Sequence, residues 1–273
     1  IMAGIMMPYL GAMGQQGYVP PNKLPNLSLW YNGSAHSTPI NHVSTNNFNV
    51  TVSNGTSIGS WIDLQNVAGP SNVNGGTGKQ PTYATPIQNG LGAVLYASAS
   101  QNNLDINPAA WSQNLSGFTV YVVARPTSTP VTAFPLVVSD TSLGIWWNGT
   151  NWSVGQSVGN RGTVTITNDI TKFHSYGMIF DGGQTGNANR LTFRYDKSPK
   201  TLTFTGTIGT STGTPAYWFF GGDNRGAVGG GNALASTYMN GYIGEVLIWT
   251  RALNSTEIGS VELYINTKWG LGL

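Results

Sequence analysis

The chain has 273 residues, of which 40% are hydrophobic and only 8% charged, against roughly 25% charged in ordinary soluble domains. Its formal net charge is +2 at pH 7 and its Lys and Arg residues form no cluster, which excludes the many-contact phosphate binding that a nucleic-acid partner requires. Cysteine is absent, so disulfides and cysteine-based metal or catalytic sites are excluded as well. The length suits a single all-β sandwich, and 9 Trp, 12 Tyr and 9 Phe supply apolar area for its core. With so few charges, solvation falls to Asn, Ser, Thr and Gln. Such a neutral polar surface suits stable contacts, because few charges need desolvating on association.

Residues 1–25 read as an arm. The stretch is rich in Met, Gly and Pro and carries one charge, at Lys23. It lacks the basic start of a secretion signal, Pro8 and Gly11 interrupt it early, and it is too short for a membrane-spanning helix. Met side chains fit irregular apolar grooves. Met2, Met6, Met7, Tyr9, Leu10 and Met13 are therefore expected to dock on a neighbouring subunit or partner.

From residue 27 onward, short apolar or alternating runs recur between turn residues, at 27–31, 60–64, 93–96, 118–124, 136–138, 143–147, 152–154, 164–167, 174–180, 190–195, 200–204, 218–221 and 242–249. β-branched and aromatic residues dominate them, and turns rich in Asn, Gly and Pro separate them. So many short strands predict two packed antiparallel sheets, or a barrel, over residues 26–273. The Gly-rich stretches 74–78, 182–186 and 226–231 read as exposed loop tips. The strand "YIGEVLIW" is apolar on both faces apart from Glu245, which places it centrally. The next segment predicts a short helix. Asn254 is its N-cap with Glu257 at the third position, Ile258, Val261 and Ile265 share a face with Tyr264 beside them, Lys268 lies in the last turn, and Gly270 follows the end. This helix is expected to lie across an end of the sandwich.

Six segments carry a family resemblance in order: "LSLWYNGSA", "SWIDLQN", "KQPTYATPIQNGLGAVLYASASQNNLDI", "GFTVYVVARP", "HSYGMIFDGG" and "GYIGEVLIWTRALNSTEIGSVELYINTKWGL". Together they resemble the concanavalin A-like lectin/glucanase superfamily in its laminin G-like form. The resemblance implies an all-β, two-sheet antiparallel jelly-roll sandwich with one short C-terminal helix, here preceded by the extended arm. The pairing of "WIDLQN" with "KWGL" also resembles domains appended to virion proteins of tailed bacteriophages. A fold shared by lectins, hydrolases, adhesion modules and virion proteins does not set the function.

The chemistry narrows the choice. Glycosidases of the superfamily place two carboxylates on one strand face for acid/base and nucleophile work. This chain has only Glu245, Glu257 and Glu262, none in such a motif. Its Asp residues are scattered singletons, and His36, His42 and His174 have no carboxylate or Ser pattern nearby in sequence. No enzymatic activity and no cofactor are expected. The family's calcium site would fall near Asp181 or Asp223, but calcium wants several oxygen ligands and Asp-Gly is also ordinary turn chemistry, so no metal is assigned.

Carbohydrate binding has more material. "GIWWNGTNWSVG" gathers Trp146, Trp147 and Trp152 around an Asn-Gly turn, and "YWFFGGDNRG" sets Trp218 beside Asp223 and Asn224. Neighbouring strand residues face opposite sides, so either one ring of the Trp146–Trp147 pair is exposed for stacking on sugar, or one Trp is core and the others cover a sheet edge. Two readings follow. In the first, the chain is a non-enzymatic structural protein on the surface of a phage-like virion. It would be a head or tail component, homo-oligomeric, attached to other virion proteins through its arm and able to touch surface glycans. In the second it is a secreted or cell-surface lectin-like module. Neither reading involves nucleic acid or membrane.

Overall fold

The computed structural model describes residues 27–33, 43–44, 53–61, 63, 65, 71–72, 79–106, 109–129, 134–223 and 237–273. The arm assigned to residues 1–25 lies outside the described residues.

Two antiparallel sheets make up the body. The first runs in the order β15 (Ser198–Lys200), β14 (Leu191–Tyr195), β13 (His174–Asp181), β8 (Gly117–Pro126), β20 (Gly241–Trp249), β6 (Leu91–Tyr96) and β5 (Thr82–Gln88). An eighth strand, β1 (Leu27–Asn32), pairs with the second half of β20. The second sheet runs β16 (Thr203–Thr205), β12 (Arg161–Thr165), β11 (Asn151–Gly155), β10 (Gly144–Trp147), β9 (Phe134–Ser139), β17 (Trp218–Phe220), β7 (Leu104–Ile106), β4 (Ser71–Asn72), β3 (Ser60–Trp61) and β2 (Val43–Ser44). A separate ladder joins β18 (Gly222–Asp223) to β19 (Thr237–Tyr238).

Alternation along each strand splits its side chains between two faces. In β8, Phe118, Val120, Val122 and Ala124 point into the main core between the sheets. Tyr121 and Val123 point the other way, into a second apolar layer. In β20, Val246 and Ile248 join the first layer, and Leu247 and Trp249 the second. Both central strands therefore read as near-continuous apolar runs because both of their faces are covered.

A one-turn helix, α1 (Asn187–Arg190), precedes β14, and the cover on the outer face is α2 (Ser255–Trp269), whose position differs from the one expected. The helix lies over the face of the first sheet rather than across an end: Val261, Tyr264, Ile265 and Trp269 pack on Ala93, Tyr121 and Leu247. The reason is the apolar outer face of β8 and β20, which would otherwise stand in water. Local chemistry starts and stops the helix as the sequence predicts. The Asn254 side chain accepts from the Glu257 amide at 3.0 Å, and Glu257 accepts in return from the Asn254 amide at 3.0 Å, which satisfies two backbone donors at once. Arg251 adds a two-pronged contact to Glu257 at 2.6 and 2.7 Å. These partners hold the Glu257 carboxyl below its usual range, with the Arg251 hydrogen bonds the largest cause. Gly270 closes the helix in the left-handed region, at φ 59°, where glycine carries no steric penalty. Gly244 has a different task. A side chain there would start 2.2 Å from the Trp269 indole, so the bare backbone of β20 lets that ring lie against the strand.

Candidate binding surface

The structure moves the expected aromatic platform indoors. Trp147 and Trp152 are 3% and 0% exposed and belong to the main core with Trp218. The hairpin register pairs Trp147 with Trp152, and their rings stack 5.3 Å apart at 8°. Trp152 then meets Tyr176 of the opposite sheet at 4.4 Å. Trp146 does face the other side, as alternation requires, but it too is buried, with Val138 and Phe219. The physical reason is that β10 and β11 are interior strands, flanked by β9 and β12, so their turn residues alone reach solvent. None of the four rings offers a face to a sugar. Asp223 lies in the short strand β18, opposite Thr237, while Asn224, His36, His42 and the arm residues Met2, Met6, Met7, Tyr9, Leu10 and Met13 lie outside the described residues.

Asp181 forms an ordinary turn. Its two oxygens accept from the Gly183 amide at 3.1 Å and the Gln184 side chain at 2.9 Å. Among the described residues no group of three or more His, Cys, Asp or Glu side chains gathers to hold a metal.

The glutamates all act as structural acceptors. Glu245 is fully buried beneath α2. Its Oε1 accepts from Trp30 Nε1 at 2.6 Å, Tyr264 Oη at 2.7 Å and Lys268 Nζ at 2.9 Å, and its Oε2 accepts from Trp269 Nε1 at 2.7 Å. Burial pushes the Lys268 amine below its ordinary range, and the Glu245 charge pulls it back. Glu262 accepts from Tyr121 Oη at 3.0 Å and from Arg194 at 2.5 and 3.0 Å. Glu257 is the helix cap. The buried phenols of Tyr31, Tyr96, Tyr121 and Tyr176 are pushed well above their ordinary range by desolvation, so they stay protonated at neutral pH.

His174 has partners that its sequence neighbours do not reveal. Its Nδ1 lies 2.5 Å from Asp196 Oδ2, and its Nε2 lies 3.0 Å from the Asp169 main-chain oxygen. Asp196 also accepts from the Ser175 amide at 2.9 Å. The pair has the geometry of a base and its orienting carboxylate. The position where a nucleophile would sit is taken by a backbone carbonyl, so the pair joins strand β13 to the turn after β14.

Among the buried polar atoms of the described residues that lack a partner, Arg125 Nε belongs to a charged group. Arg125 projects from the outer face of β8, in register with Tyr242 of β20. Its guanidinium carbon lies 4.4 Å from the Tyr242 ring centroid and 5.3 Å from that of Phe173. Phe173 in turn stacks on Trp269 at 5.5 Å. Arg125 makes no hydrogen bond and no ion pair with the described residues, and its Nε is buried without a partner. The side chain as a whole is half-buried, as is Tyr242. Sequence reasoning missed this site, because only the β8–β20 register brings Arg125 and Tyr242 together.

The two antiparallel sheets and the C-terminal helix define an all-β sandwich. No family model matches the sequence, and no curated protein matches it. Solved structures do match in fold. One is domain 4 of AbnA, an extracellular GH43 arabinanase from Geobacillus stearothermophilus, in complex with arabinotriose. It is 13% identical with a TM-score of 0.53, and the match covers 87% of this chain and 98% of that domain. Another is the Trypanosoma rangeli sialidase in complex with 2,3-difluorosialic acid, 14% identical with a TM-score of 0.52, over 96% of this chain. This chain spans about a third of that sialidase, 36% of its length.

Proposed function

We propose that this chain is a non-catalytic binding module whose ligand is a carbohydrate. The observation that carries the non-catalytic half is the use of all three glutamates as acceptors for buried or capping donors. None is left as a proton donor or nucleophile opposite a second carboxylate. The carbohydrate half is supported by the likeness to an arabinotriose-bound domain that is matched almost end to end. Low charge supports it too, since a surface of Asn, Ser and Thr hydrogen-bonds hydroxyl groups without desolvating ions. A glycan array probed with the whole chain tests both halves. Saturable retention on a defined subset of glycans, with those glycans intact by mass spectrometry after long incubation, is the expected result. Cleaved glycans would overturn the first half, and no retention anywhere would overturn the second.

A second reading, a structural subunit on the outside of a phage-like particle, is favoured by the 8% charge content and by the Met-rich composition of residues 1–25. Light scattering on a size-exclusion column, for the whole chain and for a version starting at Asn26, checks it. Assembly of the whole chain with a monomeric truncated form is expected. Two clean monomers would remove the support that the arm lends.

A further inference from the structure

We propose that Arg125 is an anion subsite for the carboxylate of an acidic sugar, with the half-buried Tyr242 beside it. The inference rests on the carbohydrate-binding reading and specifies the chemical class of the ligand. The argument begins with what holds the guanidinium. Side-chain cations among the described residues are mostly spent on partners. Arg194 is bonded to Glu262, Arg251 to Glu257 and Lys268 to Glu245, and Lys172 lies 3.3 Å from Asp169. Arg190 donates to the Gln184 and Ile208 carbonyls. Arg125 is instead fixed by two ring faces, at 4.4 and 5.3 Å. A cation over aromatic faces is held electrostatically, and that contact uses none of its N–H groups.

The result is a positioned head group with unused donors. Its buried Nε has no acceptor, an arrangement that costs free energy. The planar fork of an arginine matches a carboxylate with two parallel hydrogen bonds. A planar monoanion matches the two parallel donors of one such fork. Tyr242 is half-buried and Phe173 backs it against Trp269. The exposed part of Tyr242 therefore stands beside the cation, where the carbon-bound hydrogens of a sugar ring can lie. A uronic or sialic acid carries both parts, a carboxylate and a ring with an apolar face. Neutral sugars carry only the second.

The experiment titrates sodium glucuronate into the 15N-labelled whole chain and follows the Arg125 Nε–H signal, with glucose and sodium acetate as controls. In parallel, the glycan array is run on the wild type, Arg125→Lys and Arg125→Gln. The expected result is a saturable shift with glucuronate and none with glucose, and retention of acidic glycans weakened by about tenfold or more in both variants, since Lys keeps the charge but lacks the fork. If neutral glycans bind, glucuronate gives no saturable shift and Arg125→Gln changes nothing, the subsite is wrong and the carbohydrate reading stands. If no glycan binds and acetate shifts the signal as strongly as glucuronate, Arg125 takes small anions adventitiously and both readings are overturned.

Discussion

Replacing Glu245 with glutamine will cost the fold about 3–5 kcal/mol, because it strands the Lys268 ammonium in a buried site. That is a large share of the roughly 5–15 kcal/mol that holds a typical domain together. Four donors converge on this carboxylate, from Trp30 on β1, from Tyr264, Lys268 and Trp269 on α2. Glu245 itself stands on β20, so one side chain fastens the helix and an edge strand to the centre of the sheet. Glutamine presents an NH₂ where one oxygen now accepts, so at least one buried donor also loses its acceptor. Lys268→Met should cost less, since the three neutral donors still solvate the carboxylate. The double variant Glu245→Gln with Lys268→Met should lose less than the two single losses added together, as expected for groups in one network. Urea unfolding of the four proteins measures this. A loss under about 1 kcal/mol for Glu245→Gln would mean that water reaches the site and the network is not buried as described.

Much of this architecture was legible in the chain. The alternating runs predict strands because the pleat and the apolar layer share a period of two. The "NSTE" start and Gly270 end predict α2 because capping is local chemistry. The strands that escaped notice did so for local reasons: β5 contains Pro86, which reads as a break, and β2, β4, β7, β18 and β19 have only two or three residues each. The helix position was misread because the outer apolar face of β8 becomes visible only when its inner face is assigned. The site was less legible still. His174 meets Asp196 through the turn after β14, and Arg125 meets Tyr242 through strand register; both are long-range outcomes. The tryptophans misled for a related reason. An Asn-Gly turn bordered by three Trp looks like an exposed rim, but burial depends on whether the hairpin lies at an edge of the sheet, and β10 and β11 do not.

That last point gives the other large effect. Trp152→Ala should destabilise the protein by about 3–5 kcal/mol, the range for truncating a large core aromatic. Trp152 sits in a row that crosses the sandwich. Phe134, Trp147 and Trp152 come from the second sheet, Tyr176 and Tyr195 from the first, with centroids 5.7, 5.3, 4.4 and 5.5 Å apart in turn. Removing the middle ring opens a cavity between two sheets that are each held by their own hydrogen-bonded ladders, so the backbone has little freedom to collapse into it. Trp152→Phe provides the control. The indole Nε1 is buried with no partner, so phenylalanine removes an unsatisfied donor while keeping most of the ring contact. Its cost should be less than half that of the alanine variant. Thermal and urea unfolding separate this from the surface role that the sequence suggested for Trp152. A core ring loses stability in the alanine variant, whereas a sugar platform would lose glycan retention and leave the unfolding midpoint almost unchanged.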